Sequence, residues 1–108
     1  MITEIQKVEQ IPQEGLVVVV VLVGNRAPCV KYLNYFRQAM GILEDPKKNP
    51  ANAKYFTLTW NNEVKTALNL HGMPTTIVYK DGEEKKRFVG HFWSQFEIAQ
   101  FIGEGFAK

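Results

Sequence analysis

The chain is poor in groups that bind metals or form disulfides. It has one cysteine, Cys29, and two histidines among 108 residues. A single cysteine excludes an intramolecular disulfide and a Cys-x-x-Cys pair within this chain, and it leaves no basis for a thiolate zinc cluster. The sequence therefore predicts no metal site and no cofactor.

Net charge and long apolar runs are also scarce. The formal net charge of +2 is too small to indicate binding to nucleic acid or to an anionic membrane surface. The apolar run over residues 16–23 is far shorter than the roughly 20 residues of a membrane helix. Because no signal peptide or internal repeat is visible, we expect one domain over residues 1–108 and a cytoplasmic location.

The apolar run itself, LVVVVVLV, predicts a strand, since β-branched side chains fit a pleated surface. Its lack of alternation indicates a strand with both faces covered. A Gly-Asn turn and the sequence Arg-Ala-Pro-Cys follow. Proline is tolerated in the first turn of a helix, so Pro28 predicts that Cys29 lies at a helix N-terminus.

The remaining elements follow from periodicity and capping residues. A helix is predicted over residues 27–44, with one apolar stripe formed by Val30, Leu33, Phe36, Met40 and Leu43. A loop over 45–53 and a strand over 54–60 come next. A short helix then begins at a cap provided by Thr59 or Asn61 and ends near Leu68, followed by Asn69, which tolerates the left-handed conformation that closes many helices. Residues 1–15 leave open a short helix or an edge strand near 3–6.

The last part of the chain predicts a hairpin and a helix. Strands over 75–79 and 85–89 are joined across Asp81–Gly82, and the charged residues 83–87 are interpreted as the solvent face of an edge strand. Ser94 and Glu97 form a capping box before an apolar stripe containing Phe96, Ala99 and Ile102. The order of elements, β-α-β-α-β-β-α, predicts an α/β fold with a mixed sheet and helices on both faces.

These motifs resemble thioredoxin. The segment NLHGMPT, residues 69–75, stands where thioredoxin has Gly-Ile-Arg-Gly-Ile-Pro-Thr, and NRAPC stands where it has Trp-Cys-Gly-Pro-Cys. The resemblance covers about four fifths of the chain and implies the thioredoxin fold with a cis peptide before Pro74. It also implies a groove that binds an extended protein segment. The implied groove residues are Asn25, Arg26, Ala27, Pro28, Trp60, Met73, Pro74, Gly90 and His91.

The chemistry of the family does not carry over to these positions. Its attacking cysteine corresponds to Arg26, its preceding tryptophan to Asn25, and its buried aspartate to Val20. Disulfide exchange requires a thiolate, which a guanidinium cannot replace. We therefore expect no dithiol–disulfide oxidoreductase cycle within this chain.

Two interpretations of Cys29 are open at this point. It is either a small buried hydrophobic residue or a reactive thiol whose thiolate is favoured by the helix N-terminus and Arg26. His71 and His91 correspond to loops beside the groove, where they are interpreted as ordinary loop histidines, with ligand binding as the alternative. The favoured function is a redox-inactive binding module for an acidic or extended protein segment. The alternative is a redox protein or sensor that uses Cys29 through mixed disulfides.

Overall fold

The computed structural model describes residues 2–23, 27–43, 53–90 and 94–107. After an additional strand at the N-terminus, its strands and α-helices follow the predicted order. A single turn of 3₁₀ helix, Val8–Gln10, follows that strand. The elements are β1 (Ile2–Ile5), β2 (Leu16–Leu22), α1 (Ala27–Leu43), β3 (Lys54–Thr59), α2 (Asn62–Leu68), β4 (Thr75–Lys80), β5 (Glu83–Val89) and α3 (Gln95–Phe106).

The described strands form one mixed sheet in the order β1-β3-β2-β4-β5. β1 and β2 both run parallel to β3, whereas β4 is antiparallel to β2 and to β5. This is the predicted α/β architecture. Of the two possibilities left open for the N-terminus, the edge strand is the one observed, although it starts one residue earlier than predicted.

The centre of the sheet is β2, and both of its faces are covered as predicted. Val18 and Val20 belong to a cluster with α1 and α3, whereas Val17, Val19 and Val21 face a second cluster that includes α2. All five valines are fully buried. Burial on both faces explains why the strand is continuously apolar rather than alternating.

The predicted apolar stripes of the two long helices are wrong at their first members. In α1 the buried residues include Cys29, Tyr32, Phe36 and Met40, whereas Val30 is 42% exposed. In α3 the buried set begins at Ile98, and Phe96 is 68% exposed. Each helix therefore turns a slightly different face to the sheet than the stripe indicated. Each leaves one large apolar side chain in solvent near its N-terminus.

The predicted caps are observed where the structure describes them. Of the two candidates for α2, Asn61 is the cap, and its side chain accepts a hydrogen bond from the Val64 N–H at 2.9 Å. Asn69 ends the helix in the left-handed conformation. Ser94 Oγ accepts from the Glu97 N–H at 3.3 Å at the start of α3. These side chains satisfy amide groups that a helix end leaves unpaired.

The hairpin turn is fixed from across the molecule. Asp81 and Gly82 both have positive φ, as a two-residue hairpin turn of type I′ requires. Asp81 also exchanges two hydrogen bonds with Gly15: its N–H donates to the Gly15 carbonyl at 2.9 Å, and its carboxylate accepts from the Gly15 N–H at 2.8 Å. The turn therefore holds the segment that leads into β2.

The interpretation of residues 83–87 as a solvent face is correct only in part. β5 is an edge strand, but Lys85, Lys86 and Arg87 are half-buried. A register shift opposite Val78 and Tyr79 brings Glu84 and Arg87 together, and the Arg87 guanidinium donates two hydrogen bonds to that carboxylate. Lys86 pairs with Glu104 and lies 4.6 Å from the centre of the Phe101 ring. Most of these charges therefore have partners on the protein itself.

The close approach of α3 to the sheet predicts opposite effects for two glycines of the same helix. A Cβ atom at Gly105 would lie 2.8–3.0 Å from the side-chain atoms of Val78, whereas one at Gly103 would meet nothing within 4 Å. We expect Gly105→Ala to lower the free energy of unfolding by about 1–3 kcal/mol through overpacking. The matched control Gly103→Ala is expected to raise it by up to about 1 kcal/mol. Urea unfolding of both variants measures this, and equal effects would contradict the packing described.

Candidate functional site

The topology brings those predicted site residues that the structure describes to one end of the sheet. β2 and β5 finish there, and β4 begins there, because β4 runs antiparallel to both neighbours. α1 starts five residues after the end of β2, and α3 starts six residues after the end of β5. The first turns of both helices therefore lie near the loop that precedes β4.

That loop, Gly72–Pro74, is held against the end of β5. The Met73–Pro74 peptide bond is cis. The Gly90 N–H donates to the Pro74 carbonyl at 2.8 Å, and Thr75 Oγ1 donates to the Gly72 carbonyl at 2.6 Å. A Cβ atom on Gly72 would lie 2.9 Å from Val89 Cγ1, so glycine is what allows this approach. Met73, Pro74 and Gly90 are thereby brought together.

Cys29 lies in the first turn of α1 but is not at the surface. It is 1% exposed and belongs to the core cluster that contains Val20 and Tyr32. Thiol reactivity requires access as well as a thiolate. Its position in the structure therefore matches the interpretation of Cys29 as a small buried hydrophobic residue.

One turn further along α1, a hydroxyl pair lies in the same core. Tyr32 Oη and Thr76 Oγ1 are 2.5 Å apart, and both residues are fully buried. Burial raises the pKa of Tyr32 to about 12, and the hydrogen bond to Thr76 opposes this only in part. The phenol is therefore held in its neutral form. The predicted apolar stripe of α1 did not include Tyr32, and the sequence gave no sign of a polar partner for it.

Large apolar side chains are exposed at this same end. The large hydrophobic residues that are exposed in the described part of the chain are Val30, Val89 and Phe96, at 42%, 45% and 68%. They stand in the first turn of α1, at the last residue of β5 and in the first turn of α3. The sequence analysis did not assign them to the site. The sequence analysis placed Val30 and Phe96 in the apolar stripes of the helices. Only Val89 gave a signal, as an apolar residue at the end of a largely charged strand.

The other predicted site residues have different outcomes. Trp60 is half-buried, and its backbone N–H donates to the Leu22 carbonyl at 3.1 Å, which places it at this end of the sheet. Its side chain packs against the cluster that includes α2. Ala27 and Pro28 contribute backbone to the first turn of α1. Asn25, Arg26 and His91 lie outside the described residues. His71 is exposed in the segment between α2 and β4.

The described ranges contain neither a metal-binding cluster nor a membrane-spanning helix. Histidine, cysteine and acidic side chains there do not come together in threes in a way that could hold a metal ion. The helices of these ranges include none with the length and apolar character required to cross a membrane.

The raised pKa of Tyr32 predicts a pH dependence of stability. The folded state keeps the phenol proton to about pH 12, whereas the unfolded chain releases it near 10.0. The contribution of this pKa difference to the free energy of unfolding is therefore complete below pH 10.0 and is lost as the pH rises toward 12. At a pH of about 11, wild type should have lost about 1 kcal/mol more than Tyr32→Phe, relative to neutral pH.

Urea unfolding of both proteins at the two pH values measures this difference. The comparison also cancels other groups, including Tyr79, whose pKa burial raises as well. Identical pH profiles for wild type and Tyr32→Phe would show that the phenol is not held neutral by burial.

Comparison with known proteins bears on the fold. No protein-family model and no curated protein matches the sequence. Oxidised thioredoxin from Plasmodium falciparum superposes with a TM-score of 0.74 at 19% identity, covering 96% of this chain and 97% of that one. Chloroplastic thioredoxin z gives 0.74 at 17% identity, covering 99% and 96%. A cysteine-to-serine mutant of Entamoeba histolytica thioredoxin gives 0.73 at 21% identity, covering 96% and 99%. The chain therefore has the thioredoxin fold.

Proposed function

We propose that this protein binds an extended segment of another protein at the end of the sheet formed by α1, the Gly72–Pro74 loop and Gly90, here called the groove. The observation that carries the proposal is the position of Val30, Val89 and Phe96, the exposed large apolar residues of the described chain. Apolar side chains concentrated on one surface mark interaction sites in soluble proteins. Val30 lies in the first turn of α1, Val89 directly precedes Gly90, and Phe96 lies in the first turn of α3.

The state of the cysteine supports binding without disulfide chemistry. A dithiol cycle needs two sulfur atoms, and this chain supplies one. That sulfur is 1% exposed in the core beneath the groove. We therefore infer that this protein is a redox-inactive or redox-impaired relative of the thioredoxins whose fold it shares.

The chemistry of the partner is proposed from the groove's composition. The main chain around Met73–Pro74 offers a partner for an extended backbone, and the exposed valines offer contacts to apolar side chains. Arg26 follows β2 in the sequence and replaces a thiol of the family motif. Its guanidinium favours acidic residues or a C-terminal carboxylate in the segment that binds. The cytoplasmic location remains a prediction.

Selection of a random peptide library displayed on phage, followed by calorimetry on the selected peptides, tests the proposal. We expect Val89→Asp to weaken peptide binding at least about tenfold, because it places a carboxylate in the apolar surface. Ala107→Asp introduces the same charge at the far end of α3, where the residue is exposed, and should leave affinity unchanged. Arg26→Glu should reduce the affinity for acidic peptides selectively.

Two outcomes would overturn the proposal. If Val89→Asp and Ala107→Asp bind the selected peptides equally, the groove is not the binding surface. If the selected peptides all contain cysteine and Cys29→Ala abolishes their capture, the protein acts through a mixed disulfide. That second result would establish the single-cysteine function in place of the binding module.

A further inference from the structure

The contact between Tyr32 and Thr76 is unusual for its surroundings. Both side chains are fully buried in the cluster that α1 and α3 form on the sheet. Val20 lies directly opposite Thr76 in the β2–β4 register, and the Phe36 ring stacks on Tyr32 with centroids 6.3 Å apart. The hydroxyl groups are therefore enclosed by apolar neighbours and satisfy each other at 2.5 Å.

Such a pair is not required for stability. Burying two hydroxyl groups carries a desolvation cost, and replacing both partners of a buried hydrogen bond with apolar groups of the same shape is often nearly neutral. What a hydrogen bond adds over apolar packing is a fixed distance and direction between the two groups. The role of this bond therefore depends on which parts of the molecule it holds in place.

The bond connects the two sides of the groove. Tyr32 stands one helical turn after Cys29 and two residues after the exposed Val30 on α1. Thr76 stands two residues after Pro74, at the start of β4. The other described hydrogen bonds of the loop, Thr75 to Gly72 and Gly90 to Pro74, hold it to itself and to β5. The Tyr32–Thr76 bond is the described hydrogen bond that extends from this region to α1, where Met73 also packs against the cluster that contains Tyr32.

We propose that Tyr32 and Thr76 are positioning residues, whose hydrogen bond sets the separation between the first turns of α1 and the loop before β4. The inference rests on the proposed function, since that separation is the width of the groove that accepts the extended segment. A fixed width lowers the ordering that binding must otherwise impose on the protein. The pair therefore acts on affinity through geometry, without touching the bound segment.

Four variants separate this role from a merely structural one. Tyr32→Phe and Thr76→Val each leave one buried hydroxyl without its partner, so both should be less stable than wild type. The double variant removes both hydroxyls and should recover most of that stability. We expect peptide affinity to be about 3- to 10-fold weaker in all three, whereas Thr76→Ser, which keeps the hydroxyl, should bind like wild type. Affinity that recovers together with stability in the double variant would overturn the proposal.

A second measurement needs no ligand. Hydrogen exchange of the Gly90 amide, which donates to Pro74, reports directly on the loop. We expect it to exchange at least about threefold faster in the double variant at matched global stability, with the Gly15 amide at the far end of the sheet as an unchanged control. Unchanged Gly90 exchange would overturn the positioning role. If the Gly90 amide exchanges faster in the double variant as expected, but Val89→Asp leaves peptide binding unchanged, only the proposed function is overturned.

Discussion

The burial of β2 on both faces is the constraint on which the rest of the structure depends. Residues 17–21 are five consecutive valines, and all are inaccessible to solvent. A strand of this kind must have neighbours on both edges and helices on both faces, because its side chains cannot remain in water. β3 and β4 pair with the two edges of β2. α1 and α3 cover one of its faces, and α2 covers the other. The groove lies where this strand ends.

The features that the sequence predicted well are those determined by local chemistry. The valine run, the Asp81–Gly82 turn and the Asn61, Asn69 and Ser94 caps each depend on a few neighbouring residues. The helical faces were predicted less well, because periodicity cannot distinguish an apolar residue that packs from one that is exposed. Val30 and Phe96 are the two errors of this kind. Both lie in the first turn of a helix, where the chain has just left the sheet.

The Tyr32–Thr76 pair could not be predicted for a different reason. The two residues are 44 positions apart, and their contact depends on the crossing of α1 over β4. Neither residue type is unusual for its element. Only the assembled core shows that, among the described residues, the phenol and the Thr76 hydroxyl meet each other in apolar surroundings. The same limit applies to Cys29, because its sequence position fits both a buried residue and a reactive thiol, and packing distinguishes them.

The proposed binding role requires Cys29 to be part of the core rather than a reacting group. The most direct measurement is the rate at which this thiol is alkylated in the native protein and in urea, at pH values up to about 9, past the usual thiol pKa. We expect native Cys29 to react at least about a hundredfold more slowly than Cys29 in the unfolded chain, because the reagent reaches the thiol only when the core opens. Native alkylation as fast as that of the unfolded chain would contradict it and would identify the protein as a single-cysteine thiol protein.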